Sequence, residues 1–365
     1  MKNSLMKKVI TAFLIFVLLF IFAWVTLFAY LTVDEYRPEE VENLQIAGEP
    51  GNAVSKSKSI RIMSWNIGYG ALGDNSDFFM DGGTMVYTAD EERVSQNLDD
   101  IDAEVDKIAP DILITQETDV SSARARFINE PQYLAEHSEA DVFQNQNLFS
   151  YNYKVSFVPL PIPPIGKVHS GLATFSKFAI DSAERIALPC PFKWPLRTIN
   201  LKRGLQEIRM PIEGSDRELV IINFHLEAYD SGEGKIAQTK LLKQILIDEF
   251  EKGNYVIAGG DFNQQFSNVD TGKYAALDGI WQAPVIDVAE FGDDFRFLAD
   301  PEVPTCRSLD KILVSAPSRD YSDFQYYVID GFIVSKNIEV EQMYTEDLGF
   351  VCSDHNPVVM DFKLR

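Results

Sequence analysis

The sequence is poor in the residues that build metal–thiolate centres. It has three cysteines in 365 residues, Cys190, Cys306 and Cys352, and no two of them form a Cys-x-x-Cys pair. Structural zinc sites usually take cysteines at such spacings, so the sequence does not support zinc bound through thiolates. Outside the cytoplasm one disulfide could form and leave one thiol over; the alternative is that all three are small buried apolar residues.

Positive charge is also scarce. The chain has 33 Lys and Arg residues against 55 Asp and Glu residues, which gives a formal net charge of -22. Such a chain repels polyanions at long range but concentrates small cations. The charge therefore counts against a protein that coats nucleic acid, though not against a nuclease whose metal offsets it locally. Solubility alone explains the acidity equally well.

One long apolar run lies near the N-terminus, between Val9 and Val33, where no charged residue occurs. As a helix it would be about 37 Å long, enough to cross a hydrocarbon layer of ~30 Å. Lysines precede the run and acidic residues follow it, so the positive-inside rule places the remainder outside the cytoplasm. We predict a single-pass membrane protein with residues 1–33 as cytoplasmic tip and transmembrane anchor. A cleaved signal peptide is the alternative, although such apolar segments span only about 7–15 residues.

Beyond the anchor the composition changes again. Residues 34–58 contain prolines, glycines and scattered charges with little apolar periodicity, which is typical of a linker. Residues 59–365 are long enough for one large domain, and the 46% hydrophobic and 24% charged residues of the whole chain are ordinary globular values. We therefore predict a single domain from residue 59 to residue 365.

Apolar patterning within this domain predicts both strands and helices. Apolar positions recur every three or four residues over 94–108 and 236–250, which indicates two helices, ended by Pro110 and followed by Gly253 respectively. Short runs rich in Ile, Val, Phe and Tyr predict strands. These runs are 60–65, 112–115, 172–175, 219–224, 255–258, 327–334 and 358–362. Their partial alternation favours a layered α/β or α+β domain with large mixed sheets.

Polar residues fall repeatedly at the ends of these runs. Each alone has an ordinary explanation, such as a surface charge, a turn residue or a hydrogen-bonded core histidine. Together they indicate a site, because buried charges are costly unless they are paired or bound to a metal. The positions are Asn66, Glu117, His225, Asp261 with Asn263, Asp330, and Asp354 with His355.

In their order these motifs resemble the endonuclease/exonuclease/phosphatase superfamily, which includes DNase I-like nucleases, abasic-site endonucleases, neutral sphingomyelinases and inositol-phosphate phosphatases. The resemblance implies a DNase I-like α/β fold, a four-layer sandwich of two packed mixed β-sheets flanked by helices, and makes the domain a catalytic one. It spans about residues 60–365. The motifs are SWN (64–66), QE (116–117), NFH (223–225), GGDFN (259–263), IDGF (329–332) and SDHNP (353–357).

The resemblance implies a divalent metal, Mg²⁺ or Mn²⁺. Glu117 is then its principal ligand, with Asn66 close to both metal and substrate and Asp354 supporting the metal side. Oxygen donors of this kind suit Mg²⁺, which keeps several waters and often takes only one or two carboxylates.

The resemblance also implies catalytic roles for five residues. His355 is expected to act as general base toward water or to contact the scissile phosphate, and Asp330 to orient its imidazole. Asp261 and Asn263 are expected to position the attacking water and to bind a phosphate oxygen. His225 is expected to donate to the phosphate or to protonate the leaving oxygen.

Two further positions are candidates for substrate binding. His169 precedes Ser-Gly where some family members carry an aromatic phosphate-contacting residue, so it replaces that contact or is a loop residue. Arg197 ends the stretch 191–197, the most basic and aromatic segment of an acidic domain, which Lys202 and Arg203 extend. This segment could grip a phosphate, stack a base or enter a lipid headgroup layer; a strand with solvent-facing cations is the alternative.

The function expected from these residues is metal-dependent hydrolysis of a phosphodiester or phosphomonoester at the outer face of the membrane. Lipid headgroups, nucleic acids and sugar phosphates are all candidate substrates, and no obligate protein partner is inferred. The alternatives are an extracellular nuclease acting on DNA or RNA, and a non-catalytic binding module that retains the fold.

Overall fold

The computed structural model describes residues 2–228, 230, 232–315 and 324–365. Over these residues the helices are α1 (Lys2–Asp34), α2 (Glu91–Ile108), α3 (Glu130–His137) and α4 (Glu233–Glu251). The strands are β1 (Val41–Asn43), β2 (Ile60–Asn66), β3 (Ile112–Asp119), β4 (Gln146–Val158), β5 (Gly166–Ser176), β6 (Ser182–Ala187), β7 (Gly204–Pro211), β8 (Glu218–His225), β9 (Tyr255–Asp261), β10 (Gln265–Phe266), β11 (Val285–Ile286), β12 (Phe295–Leu298), β13 (Cys306–Arg307), β14 (Tyr326–Tyr327), β15 (Asp330–Ser335), β16 (Ile338–Thr345) and β17 (Val358–Leu364).

Two mixed sheets form the centre of the domain. A seven-stranded sheet has the order β1-β6-β7-β8-β9-β15-β12, and a six-stranded sheet has the order β16-β17-β2-β3-β5-β4. Strand β2 runs parallel to β3, and β8 runs parallel to β9. Antiparallel neighbours flank both pairs, so each sheet is mixed.

The sheets pack face to face and helices cover their outer faces. Between the sheets lies a core of aliphatic and aromatic side chains, including Ile114 from one sheet and Ile221 and Phe332 from the other. Helix α2 packs Leu98 against the opposite face of the six-stranded sheet, and α4 packs Leu246 against the opposite face of the seven-stranded sheet. The alternation of inward and outward side chains along each strand makes both packings compatible. The predicted four-layer sandwich is thus confirmed.

Both predicted helices are present, and local residues explain their ends. The side chain of Asp90 caps α2 by accepting from the backbone N–H of Arg93 at 2.9 Å. Ala109 ends α2 in the left-handed conformation, directly before Pro110. Gly253 follows α4 with φ +86°, as a glycine after a helix does.

The single strand predicted over 327–334 is wrong, because the structure divides it into β14 and β15. The hydroxyl of Thr305 accepts from the backbone N–H groups of Ile329 at 2.9 Å and Asp330 at 3.1 Å. These two N–H groups therefore bond to a side chain instead of to a neighbouring strand, at the point where the chain passes from the two-stranded sheet of β14 to the seven-stranded sheet. Strand β14 pairs with β13 instead, and only β15 joins the seven-stranded sheet.

The segment 34–58, expected as a linker, lies against the domain. Strand β1 pairs with β6 at the edge of the seven-stranded sheet. Ala47 and Val54 form further bridges to Asn147 and Ile212, and Val54 is fully buried. Backbone pairing of this kind holds the chain along its path from α1 to β2.

Helix α1 precedes this segment and is long and apolar enough to cross a membrane from Ser4 to Asp34, and none of its most apolar 18-residue window is buried in the protein. A soluble core helix would be mostly buried, so the exposure leaves a membrane span or a signal sequence as the interpretations of this helix.

Candidate active site

Three neighbouring strands of the seven-stranded sheet bring His225, Asp261 and Asp330 to one level. In the ladders His225 is opposite Asp261, and Asp261 is opposite Asp330. Strands β8 and β9 are parallel and end here, whereas β15 is antiparallel and begins here. The Nε2 atom of His225 lies 3.3 Å from Oδ2 of Asp261. Three residues far apart in sequence therefore meet at one sheet edge.

The six-stranded sheet contributes Asn66 to the same place. Its Nδ2 atom donates to Oδ2 of Asp261 at 3.1 Å and lies 3.4 Å from both Oε1 of Glu117 and Nε2 of His355. Its Oδ1 atom accepts the backbone N–H of Gly68 at 3.1 Å, which fixes the orientation of the amide. Asn66 thus links the two sheets at the centre of the site.

Glu117 reaches the site through a distortion of β3. The register of β3 against β5 shifts between Thr115 and Thr118, and Glu117 has φ +52°. A bulge of this kind bends a strand and redirects a side chain. The carboxylate of Glu117 lies 4.0 Å from Nδ1 of His225 and 4.0 Å from Nη1 of Arg124, and it remains about one quarter exposed. Glu117 is thus the most solvent-accessible carboxylate of the group.

Asp330 and His355 form a buried pair. The Oδ2 atom of Asp330 lies 2.9 Å from Nδ1 of His355, and the backbone carbonyl of His355 accepts from Trp65 Nε1 at 2.9 Å. Burial alone would lower the pKa of His355, but Asp330 and the neighbouring Cys306 raise it well above its usual value. His355 is therefore held as a cation at neutral pH.

The second histidine has the opposite electrostatics. Burial lowers the pKa of His225 well below its usual value, and the nearby cations of Arg203, His355 and Arg124 lower it further. His225 is therefore neutral at neutral pH, and one of its ring nitrogens can accept a proton. Two histidines in one pocket thus hold different protonation states.

Asp261 lies between the two histidines, and burial followed by the charge of Asp330 raises its pKa to about 7. Its Oδ1 atom accepts the backbone N–H of Asn263 at 2.8 Å. Asn263 takes the left-handed conformation with φ +49°, and its Nδ2 atom donates to the Leu226 carbonyl at 2.9 Å. The turn after β9 therefore fixes both polar side chains of the GGDFN motif.

Asp354 provides the clearest indication of where a cation would bind. Burial raises the pKa of Asp354 to about 7, and Glu117 contributes in the same direction against the opposing effect of His355. Its Oδ1 atom is buried and has no hydrogen-bond partner among the described residues. A buried carboxylate oxygen without a donor fits a hard cation such as Mg²⁺, which prefers oxygen ligands, and Glu117 is near enough to raise the pKa of Asp354.

Two tighter groups of metal-ligating atoms also lie in this region, among the residues that the structure describes. Asp261, Asp330 and His355 form one, and Cys306, Asp354 and His355 form the other, with all ligand atoms within 4.8 Å of one another. In the first group Asp330 and His355 are hydrogen-bonded to each other, and Asp261 accepts from Asn66 and from the backbone N–H of Asn263. In the second, burial raises the pKa of Cys306 to about 12, so the thiol is a poor ligand at neutral pH.

The two predicted substrate-binding residues outside this cluster lie elsewhere. His169 is on β5, half-buried beside the ring of Tyr151 at 5.6 Å, and burial followed by Lys167 lowers its pKa. Arg197 lies in a short 3₁₀ helix, Leu196–Ile199, and pairs with Glu35 at 3.1 Å. No described hydrogen bond or ion pair joins either residue to the clustered carboxylates and histidines.

Two residues that the sequence did not indicate border the carboxylates. Arg124 pairs with Asp119 at 2.9 Å and covers the ring of Tyr69 at 3.6 Å. The buried hydroxyl of Tyr69 has no hydrogen-bond partner among the described residues, and burial raises its pKa well above the usual value, with smaller effects from Glu117 and Asp354. Neither residue belongs to a motif, so only the folded chain could reveal them.

Comparisons with known proteins agree with this fold. Among solved structures the chain resembles an endonuclease/exonuclease/phosphatase from Beutenbergia cavernae, with 20% identity, 84% of this chain and 72% of that chain covered, and a TM-score of 0.52. It also resembles D. rerio TDP2 complexed with a single-strand DNA product (14% identity, 84% and 99% covered, TM-score 0.51) and the human Nocturnin catalytic domain with a bound sulfate anion (18%, 88% and 97%, TM-score 0.50). At these identities the likeness shows the fold alone.

No curated protein sequence matches the chain significantly. The profile described as Endonuclease/Exonuclease/phosphatase family matches residues 63–355, which include all six motifs up to the histidine of the last one. The chain therefore belongs to the endonuclease/exonuclease/phosphatase family, whose members are in general phosphoesterases and nucleases that use a divalent metal.

Proposed function

We propose that this chain is a divalent-metal-dependent phosphoesterase that hydrolyses a phosphodiester or phosphomonoester at the outer face of a membrane, by in-line attack of water. The observation that carries the proposal is the buried pair of Asp330 and His355. The Nε2 atom of His355 lies 3.7 Å from Asp261 and 3.4 Å from Asn66 Nδ2. A paired imidazole beside oxygen ligands is what phosphate binding and proton transfer at a metal site require.

In this proposal Glu117, Asn66 and Asp354 hold the ion. Bound Mg²⁺ or Mn²⁺ supplies Lewis-acid polarisation of the phosphate and offsets its negative charge. The bulge that directs Glu117 and the hydrogen bond that fixes Asn66 orient the donors in advance. The buried Oδ1 atom of Asp354 supplies the third oxygen.

His355 acts on the phosphate as a cation. Asp330 accepts from Nδ1, so Nε2 can donate to a phosphate oxygen on which negative charge develops. Of the two roles that the sequence offered for this histidine, the raised pKa favours phosphate contact over general base. Asp330 is then a positioning residue, since it acts through the imidazole.

Water activation falls to the pair of His225 and Asp261. The neutral imidazole of His225 lies 3.3 Å from Asp261 and can accept a proton from the attacking water, while the Asp261 carboxylate orients this water. Asn263 uses one amide hydrogen on the Leu226 carbonyl and can present the other to a phosphate oxygen. In-line attack places the leaving oxygen on the opposite side of phosphorus from the water. His225 therefore keeps the proton that it takes from water, and the leaving oxygen takes its proton from solvent.

The substrate is a phosphate ester, and several observations bear on its class. TDP2 from D. rerio was solved with a single-strand DNA product, and human Nocturnin with sulfate, a tetrahedral anion of the shape of phosphate. These ligands support a phosphate-ester substrate and keep a nuclease as the alternative. The apolar helix α1 and the net charge of -22 favour a substrate near a membrane over duplex DNA.

A substrate panel tests the proposal on the full chain in an uncharged detergent, with Mg²⁺, Mn²⁺ or Ca²⁺. The panel contains plasmid DNA, single-stranded RNA, phosphatidylcholine and sphingomyelin vesicles, and sugar phosphates. We expect hydrolysis of one class, lost in His355→Gln and kept in His137→Gln, which makes the same substitution on an exposed histidine of α3. A folded parent that hydrolyses nothing and binds no Mg²⁺ by calorimetry would instead establish a non-catalytic binding module.

A further inference from the structure

A cavity of about 350 Å³ lies between the end of α1 and the domain. Its wall contains four cationic side chains and the carboxylate of Glu35. The four cations are Arg37, Arg197, Lys202 and Arg203. In a chain with a formal net charge of -22, this is a local concentration of positive charge. A cavity of this size accommodates a small ligand or a lipid headgroup.

Among the described residues Glu35 is the only carboxylate in this wall, and its side chain is 2% exposed. It lies 3.0 Å from Arg37, 3.1 Å from Arg197 and 3.7 Å from Lys202. Three cations thus share one anion. Burial lowers the pKa of Lys202, and Glu35 with Cys190 only partly opposes this effect. A second anion in the cavity would stabilise the charged forms.

The end of α1 determines how far the cavity would lie from the core of a membrane. The apolar span of α1 ends with Asp34, so Glu35 and Arg37 follow within about one turn of where a bilayer core would end. The loop that carries Arg197 packs on the same end of α1, because Trp194 Nε1 donates to Thr32 Oγ1 at 3.1 Å. The cavity therefore lies at headgroup level if α1 crosses a bilayer.

Exposed apolar side chains lie on the same loop. Trp194 is 56% exposed and Leu196 is 60% exposed, on either side of Pro195. Large apolar groups beside cations are the usual composition of a segment at a membrane interface. Together with the apolar helix they favour a lipid surface continuous with α1 as the partner of this face.

Arg203 connects the cavity to the candidate active site. It lines the cavity wall, donates from Nη1 to the backbone carbonyl of His225 at 3.1 Å, and pairs with Glu227 at 3.3 Å. The side chain of Arg203 therefore contacts both the cavity and the backbone of His225, the proposed water-activating histidine. The cavity nevertheless contains none of the carboxylates of the site.

We propose that this cavity binds the phosphate group of an anionic phospholipid in the leaflet at which α1 ends, with Arg197 and Lys202 as its principal ligands. The inference rests on the membrane placement in the proposed function and adds a lipid-binding site distinct from the hydrolytic one. The phosphate joins Glu35 as the second anion beside Arg37, Arg197 and Lys202. It thereby holds the domain at a fixed height and orientation over the bilayer.

Native mass spectrometry of the full chain in an uncharged detergent tests this. Phosphatidylglycerol and phosphatidylcholine are added at equal concentration, and the lipid retained is counted for each variant. We expect preferential retention of phosphatidylglycerol by the parent and about tenfold weaker retention by Arg197→Ala, with recovery in Arg197→Lys, because one charge-assisted hydrogen bond is lost and restored. Lys202→Ala, a more buried cation, should weaken retention in the same way.

Lys193→Ala is the matched control, since Lys193 is exposed on the same loop but does not line the cavity. Equal weakening by Lys193→Ala and Lys202→Ala would show diffuse attraction and overturn the site. Equal retention of both lipids would also overturn it. Competition by millimolar inorganic phosphate as effective as by lipid would assign the cavity to a free phosphate and refute the lipid.

Failure of this inference is separable from failure of the proposed function. Lipid retention is measured without metal or substrate, and the hydrolysis assay uses neither the cavity variants nor phosphatidylglycerol. A parent that hydrolyses its ester but shows no lipid preference refutes the cavity and leaves the phosphoesterase. A parent with the expected lipid preference but no hydrolysis does the reverse.

Discussion

Asp330→Asn isolates the charge that holds His355 as a cation. Asparagine keeps the size of the side chain and an oxygen that can accept from Nδ1, so the 2.9 Å contact can persist without its charge. Both side chains are nearly inaccessible, with 3% and 6% exposure. The loss therefore falls on the stabilisation of the imidazolium rather than on packing.

The magnitude follows from this burial. Without Asp330 a buried imidazolium would lack its partner, which costs about 3–5 kcal/mol, so His355 loses its proton in the resting variant and must regain it at this cost to contact the phosphate as a cation. Each 1.36 kcal/mol in a barrier is about tenfold in rate. If the proposed contact of His355 with the phosphate is made in the transition state, kcat falls by roughly 10²- to 10⁴-fold. KM should change by less than about threefold, because the lost interaction develops mainly with the reaction.

Steady-state hydrolysis of the preferred ester at saturating Mg²⁺ measures this effect, and a pH titration of the His355 resonance should show its pKa lower than in the parent. Asp361→Asn is the matched control: Asp361 pairs with Arg61 at 2.7 Å on β17, away from the site, and should leave kcat within about twofold. A folded Asp330→Asn protein with kcat within about threefold of the parent would refute the reasoning.

Two further predictions concern the metal and the acid stability of the domain. Asp354→Asn should weaken Mn²⁺ binding by about tenfold or more in calorimetry. The metal-free melting temperature at pH 8 should stay unchanged or rise, because burial raises the pKa of this carboxyl to about 7 and its ionisation at pH 8 costs stability. A lower metal-free melting temperature would argue for a structural role instead. Glu249→Gln should lower the free energy of unfolding at pH 7 by about 2 kcal/mol, measured by urea unfolding. Burial opposes ionisation of Glu249, but Arg209, Lys252 and Asn254 lower its pKa to about 2. The ionised carboxylate therefore stabilises the fold at pH values above its ordinary pKa. The difference in free energy of unfolding between parent and variant should shrink as the pH falls from about 5 towards 2.

Much of the site could be predicted because its residues end apolar strands. Asn66, His225 and Asp261 each close a run whose Ile, Val and Phe content already predicts a strand, and parallel strands that end together bring their last residues to one edge. The convergence then follows from the order of strands in the sheets. Glu117 was also found at the end of a run, but the bulge that directs it depends on its pairing with β5 and leaves no trace in the local sequence.

Strands whose side chains point alternately to the core and to solvent, or that bury polar side chains, were harder to predict. In β4 buried and partly exposed positions alternate over most of its length, so it contains no continuous apolar run. Strand β7 buries Gln206 and Glu207, and Glu207 is paired with Arg209. Polar residues whose partners come from other strands resemble a loop when read in sequence alone.

The segment 34–58 and the basic stretch 191–203 illustrate the same limit at larger scale. Their compositions indicate a linker and a cationic surface, and neither composition shows that the two meet. In the structure Glu35 pairs with Arg197, and β1 pairs with β6, which leads into the basic stretch. Partners more than 140 positions apart are chosen by the tertiary fold.

The buried carboxylates themselves argue for a cation. Two unit charges 4 Å apart repel by about 4 kcal/mol at an effective dielectric constant of 20, and the site places Asp261, Asp330 and Asp354 out of water around a single imidazolium, with Glu117 beside them. His355 compensates Asp330 directly, which leaves Asp261 and Asp354 with pKa values of about 7. A structural core would gain stability by replacing such groups with amides or apolar residues. A divalent cation explains why carboxylates stand at these positions. It would bind their ionised forms and offset the negative charge that destabilises the metal-free site.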